Sequence, residues 1–145
     1  MNNSEKNIHK LMNNYCYHID GGNLEQFAAL FEHGTWLVQG DPGGGDTGSA
    51  AVIQTLQNII LYEGKPNTKH VMSNIQIDVD DANNTAKAQC YITVFQAIPP
   101  DFPLQAIFVG HYFDQFERVD GDWRFVLRDI APDLAGDLSC HRADY

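Results

Sequence analysis

TKHVMSNIQIDV, residues 68 to 79, sets Val71, Ser73, Ile75, Ile77 and Val79 on one side of an extended chain and His70, Met72, Asn74, Gln76 and Asp78 on the other. That period of two predicts a strand. Upstream of Pro66 the period is 3.6 instead. Ile8, Leu11, Met12, Tyr15, Cys16 and Ile19 recur at three and four residues and predict a helix from Ser4 to Ile19. Asp20-Gly21-Gly22 closes it, because glycine tolerates the left-handed exit conformation. Asn23 with Gln26 three residues on has a capping-box pattern, and Leu24, Phe27, Leu30 and Phe31 form the apolar side of a short second helix. Thr35 to Gln39 (TWLVQ) reads as a short strand, and Gly40 to Gly48 as a glycine-rich entrance loop or lid. Ser49 caps a third helix that runs to Leu61. Downstream of Val79 the period of two persists. Asp80 to Asn84 is turn chemistry between the first long strand and a second, Thr85 to Ala97. A third strand spans Gln105 to Val119, and the hairpin signal Asp120-Gly121 leads into a fourth, Trp123 to Ile130. Helices first and strands afterwards predict an α+β fold: a curved mixed or antiparallel sheet wrapped around the N-terminal helices, forming a cone with an internal pocket.

At 145 residues, 43% of them hydrophobic, the chain is predicted to form a single domain, 1–145, with one substantial core. Nineteen acidic against nine basic residues give a net charge of −10, which argues against nucleic acid and against an anionic membrane surface as partners. No stretch approaches the apolar length needed to span a bilayer, and MNNSEKNIHK lacks the apolar core of a signal peptide, so the expected compartment is cytoplasmic. Cys16, Cys90 and Cys140 are too few for a disulfide framework and too far apart for a zinc spacing; they read as reduced, buried apolar residues.

Four segments resemble the SnoaL-like branch of the nuclear transport factor 2-like, cystatin-type α+β superfamily. They are YCYHIDGGNLEQFAALF at 15–31, TKHVMSNIQIDV at 68–79, GHYFDQFERVDGDWRF at 110–125 and RDIAPD at 128–133. The resemblance covers nearly the whole chain and implies the cone architecture and a homo-oligomer, foremost a dimer. It leaves the chemistry open, since the superfamily includes polyketide cyclases, scytalone dehydratase, ketosteroid- and epoxide-transforming enzymes and the small subunits of ring-hydroxylating dioxygenases. Residue by residue, Asp20 and His70 match the aspartate and histidine with acid and base roles in the scytalone dehydratase group. The chain departs from that group elsewhere: no second pocket histidine stands near Phe95 to Ile98, the pocket asparagine falls at Tyr112, and the arginine often found in the GHY segment is His111.

The chemical reading is an Asp20–His70 acid–base pair at the mouth of the cone. Histidine titrates near neutrality, and a carboxylate on one ring nitrogen fixes the tautomer of the other. Such a pair enolises a carbonyl compound without metal or organic cofactor. Tyr15, Tyr91 and Tyr112 are candidate hydroxyls for the enolate oxygen. Together with Trp36, Asn74, Phe95 and His111 they form the expected wall around a small apolar organic ligand. The structural reading makes Asp20 a residue of the Gly21-Gly22-Asn23 turn and His70 a polar residue at a strand start. Strand alternation opposes the chemical one, because His70 lies on the side away from Val71, Ile75 and Ile77. His70, His111 and His141 form no recognised metal spacing. Arg128, flanked by Asp129 and followed by Asp133, reads as a charge cluster at the end of the sheet. Two functions stay in view: a cofactor-free dehydratase, isomerase or cyclase acting on an oxygenated ring compound, and a non-catalytic subunit or ligand-binding module whose sheet serves assembly.

Overall fold

Asn2 caps the first helix by accepting the Glu5 N–H at 2.8 Å, and Glu5 places a negative charge at the positive end of the helix dipole. The computed structural model describes residues 2–145. Helices α1 (Asn3–Asp20) and α2 (Leu24–Ala29), strands β1 (Thr35–Val38) and β2 (Asp46–Thr47) and helix α3 (Ser49–Leu56) precede four long strands, β3 (Thr68–Asp80), β4 (Thr85–Ile98), β5 (Phe102–Val119) and β6 (Asp122–Ala135). The α+β architecture is as expected from the sequence. The third helix is shorter than predicted, ending at Leu56, and Ser49 is its first residue rather than its cap. Asn23 precedes α2 without a side-chain capping bond, so the capping box does not form.

The sheet has the order β2-β1-β6-β5-β4-β3. All its pairs are antiparallel except β1 on β6, which is parallel and makes the sheet mixed. Ile8, Met12, Tyr15, Cys16 and Ile19 turn the buried stripe of α1 onto the concave face, where Cys90, Ile92, Val94, Ile107, Phe116 and Phe125 meet it. Register shifts interrupt every long-strand pair. Each bulge bends its strand, which curls the sheet around the helices. At one of these bends Gly110 is required by space: a Cβ there would stand 2.6 Å from the Ala131 carbonyl oxygen.

The bulge in β3 settles the direction of His70. Ser73 pairs with Tyr91 and Gln76 with Gln89, so β3 spends one more residue than β4 over this stretch. Asn74 absorbs the extra residue at φ 55°, a left-handed conformation that asparagine tolerates better than most residues. The phase of the strand therefore reverses. His70 and Met72 face the concave side before the bulge, and Ile75, Ile77 and Val79 face it afterwards, whereas Val71 is 47% exposed. Strict alternation had set His70 against the apolar residues; the bulge puts both on the same face.

Candidate active site

Gly22 brings the end of α1 onto β3. Its φ is +75°, and a Cβ there would come within 1.9 Å of the Gly64 carbonyl oxygen, so only glycine allows the exit from α1 to lie against the approach to β3. That contact sets Asp20 beside Thr68 and His70. The Asp20 carboxylate accepts three hydrogen bonds: from the Thr68 hydroxyl (2.8 Å), from the His70 backbone N–H (2.8 Å) and from His70 Nδ1 (2.7 Å). Burial works against ionisation of this carboxyl, but the hydrogen bonds and charge of His70, with the Thr68 hydroxyl, outweigh it and hold its pKa below the ordinary value. In the neutral imidazole this bond keeps the proton on Nδ1 and the lone pair on Nε2.

The sign of the resulting pH dependence is fixed. Because the folded state binds the Asp20 proton less readily than the unfolded chain, stability from this group is complete above the unfolded pKa near 4 and is lost as pH falls through the lower folded value. Urea unfolding of the wild type is expected to weaken more steeply below about pH 5 than that of Asp20→Asn, which has no group to titrate there. Parallel pH curves would contradict the assignment.

His70 opens onto a cavity of about 330 Å3 lined by the helices, the concave sheet and the C-terminal residues. Its wall is mainly apolar: Ile19, Phe27, Leu56, Val94, Ile107, Phe108, Ile130 and Leu138. Asp20 does not face this space but stands behind His70, so it acts through the imidazole as a positioning residue. Tyr15, Trp36 and Tyr112 line the cavity. The indole N–H of Trp36 donates to the Tyr15 hydroxyl at 3.1 Å, which leaves the Tyr15 proton for another acceptor. Burial raises the pKa of both tyrosines, so each is a neutral donor over the physiological range.

The remaining expected wall residues lie elsewhere. Asn74 is the bulge residue and is exposed, and Tyr91, Phe95 and His111 are on the convex face, because their neighbours Cys90, Ile92, Val94 and Tyr112 take the inward positions. There His111 stacks on Phe113 (ring centroids 4.0 Å apart) and meets Gln89 at 3.0 Å. Arg128 also differs from expectation. It is fully buried, and its Nε and Nη2 donate to the two Asp114 oxygens, each at 2.8 Å, from the cross-strand position. Its guanidinium carbon lies 4.3 Å from the Tyr15 ring centre and 4.1 Å from that of Tyr112, as a platform under both hydroxyl donors.

His141, Arg142 and Tyr145 add to the wall from the C-terminal end, and Gln39 to Asp41 from where β1 passes into the glycine-rich loop. The last residues carry no period to read, so their place on the wall was not legible beforehand. Among the described residues no three His, Cys, Asp or Glu side chains gather as metal ligands would, and no helix is long and apolar enough to cross a membrane. Cys16 and Cys90 are buried free thiols whose pKa burial pushes up to about 12.

Solved structures share this architecture. An NTF2-like protein with a cystatin-like fold from Novosphingobium aromaticivorans is similar at 23% identity, over 94% of this chain and 85% of that one, with a TM-score of 0.73. A protein provisionally named as a scytalone dehydratase, from the same species, is 28% identical over 92% of this chain and 87% of that one, also at a TM-score of 0.73. ActVI-ORFA from Streptomyces coelicolor matches at 14% identity over 91% and 98%, with a TM-score of 0.74. No functionally curated protein matches the sequence. The SnoaL-like domain matches residues 2–129, covering the three helices that line the cavity, the bulged strand and the Asp114–Arg128 platform: the chain belongs to the SnoaL-like domain family.

Proposed function

We propose that the cavity binds a small, largely apolar ring compound carrying oxygen, and that His70 acts on it as a general base in a dehydration, isomerisation or cyclisation. The observation that carries this reading is the imidazole held on Nδ1 by Asp20 while the ring borders an apolar cavity. The likeness to a provisionally named scytalone dehydratase supports the same class of reaction.

Nε2 takes a proton from the carbon next to a carbonyl. The C–H electrons pass into an enolate whose oxygen accepts from Tyr15 or Tyr112. In a dehydration the enolate re-forms its carbonyl, the β-carbon–oxygen bond breaks, and the hydroxyl leaves as water with the proton that Nε2 returns. No redox partner enters the balance. The Asp20 carboxylate stabilises the transient imidazolium and keeps Nδ1 the donor. The test is α-proton exchange of cyclic ketones such as 1-tetralone in D2O, followed by NMR, together with the ultraviolet absorbance of enones formed from β-hydroxyketones. Exchange or elimination above the buffer rate is the expected result; neither across such a panel overturns the reading.

A second observation concerns assembly. The convex face exposes Val71, Tyr91, Phe95, Phe113 and Leu134 across neighbouring strands. Its centre, Gln89, Tyr91, Thr93, His111 and Phe113, has no formal charge on a chain of net −10. A second copy fits this face, because an isologous pair puts uncharged aromatic surface on itself and leaves the repelling carboxylates outside. Light scattering is expected to give twice the chain mass for the wild type and the single mass for Phe113→Lys. A monomeric wild type at micromolar concentration refutes the pairing.

A further inference from the structure

The cavity holds a second imidazole that the proposed proton transfer does not use. His141 lines it, yet its ring makes no hydrogen bond to the protein, and Nδ1 is closed off from solvent without a partner. The residue is held firmly by its backbone. The His141 carbonyl accepts the Ile60 N–H at 2.9 Å and its N–H donates to Leu138 at 3.0 Å. Next to it the Cys140 carbonyl accepts from the Tyr62 hydroxyl (2.6 Å) and from Gln96 Nε2 (3.2 Å), and the Ala143 N–H donates to Asn58 at 2.8 Å. The C-terminal segment is therefore strapped across the turn that follows α3, and it presents a fixed ring to the ligand space.

Around that ring stand His70, Arg142 and, more distantly in effect, Asp20. Burial, then the charges of His70 and Arg142, push the His141 pKa down to about 4, against a small opposing pull from Asp20. The ring is neutral at physiological pH, with one N–H to place. A proton on Nδ1 would be a buried donor without an acceptor, which is costly; on Nε2 it faces the cavity.

We infer that His141 is a positioning residue for the ligand: its Nε2–H donates to a ligand oxygen, selecting ketones and similar oxygen acceptors over hydrocarbons of the same shape. The inference rests on the cavity being the ligand site, as the proposed function does, but not on proton abstraction by His70.

The probes are 1-tetralone and tetralin, which differ by one carbonyl oxygen, with binding followed by tryptophan fluorescence because Trp36 is in the wall. The wild type is expected to prefer the ketone by about fivefold or more. In His141→Phe the preference falls by about fivefold to tenfold, the value of one neutral hydrogen bond, to what the tyrosine hydroxyls supply, and His141→Gln, which retains an N–H donor, restores part of it. The 15N resonance of His141 Nε2 moves on adding the ketone and not on adding tetralin. A ketone preference undiminished in His141→Phe overturns the inference, as does a wild type that binds both probes equally; in either case the cavity remains a ligand site. Failure of both probes to bind overturns it together with the reading of the cavity.

Discussion

Replacement of His70 by glutamine is expected to lower ketone α-proton exchange by about 10²-fold or more, the usual scale for losing a positioned general base, while the protein stays folded. Glutamine can still donate to Asp20 and satisfy the carboxylate, so the substitution removes the base and little else. Asp20→Asn tests the other half of the pair through a different failure. The Asp20 oxygens accept from Thr68 and twice from His70. An amide in that place turns one acceptor into a donor, which favours the tautomer with Nδ1 as acceptor and the proton on Nε2. The base would then present an N–H to the substrate. Exchange is expected to fall through kcat, with a smaller change in KM, and the pH profile to shift, none of which a merely structural role for Asp20 would produce. Full activity in His70→Gln excludes the mechanism. Loss of activity in that variant accompanied by a collapsed melting transition would return His70 to a structural part.

Much of the fold was legible because it rests on local periods. The α1 stripe from Ile8 to Ile19, the change of period beyond Pro66 and the Asp120-Gly121 hairpin all appear in the structure with boundaries moved by a few residues. The site was legible only where a residue follows from chain order. Asp20 at a helix end and His70 at a strand start meet because the Gly22 contact with Gly64 brings those two ends together. The wall was not legible to the same degree. Tyr91, Phe95 and His111 belong to the period of two, and period alone does not say which face is concave. Asn74 shows a second limit: a single bulge reverses a strand's phase, and the sequence SNI carries no mark strong enough to announce it. Arg128 shows a third. Its nearest acids in sequence are Asp129 and Asp133, but its partner, Asp114, is opposite it on the neighbouring strand. Such a pairing depends on register, which is fixed only when the sheet forms.

That buried pair gives the largest expected effect on stability. Arg128 and Asp114 have fully buried side chains, and Arg128 Nη1 has no partner at all. Two charges removed from water cost several kcal/mol each, a penalty that their attraction and two hydrogen bonds offset only while both are present. Asp114→Asn leaves a charged guanidinium in the core without its counter-ion, since arginine does not deprotonate in proteins. It is expected to destabilise the protein by about 3–5 kcal/mol. For a chain of this length that lowers Tm by roughly 10–20 °C. A double replacement, Asp114→Leu with Arg128→Met, removes both charges and is expected to be more stable than Asp114→Asn alone, because an apolar pair of similar volume needs no compensation. An Asp114→Asn variant melting within a degree or two of the wild type would show that the pair is not the constraint its geometry implies. The double variant also separates stability from chemistry. The Tyr15 and Tyr112 rings both pack on the guanidinium, 4.3 and 4.1 Å from its carbon, so its removal frees the hydroxyls that the enolate oxygen needs. A double variant that recovers Tm but not ketone exchange places the role of the ion pair in holding those hydroxyls, whereas recovery of both confines it to the fold.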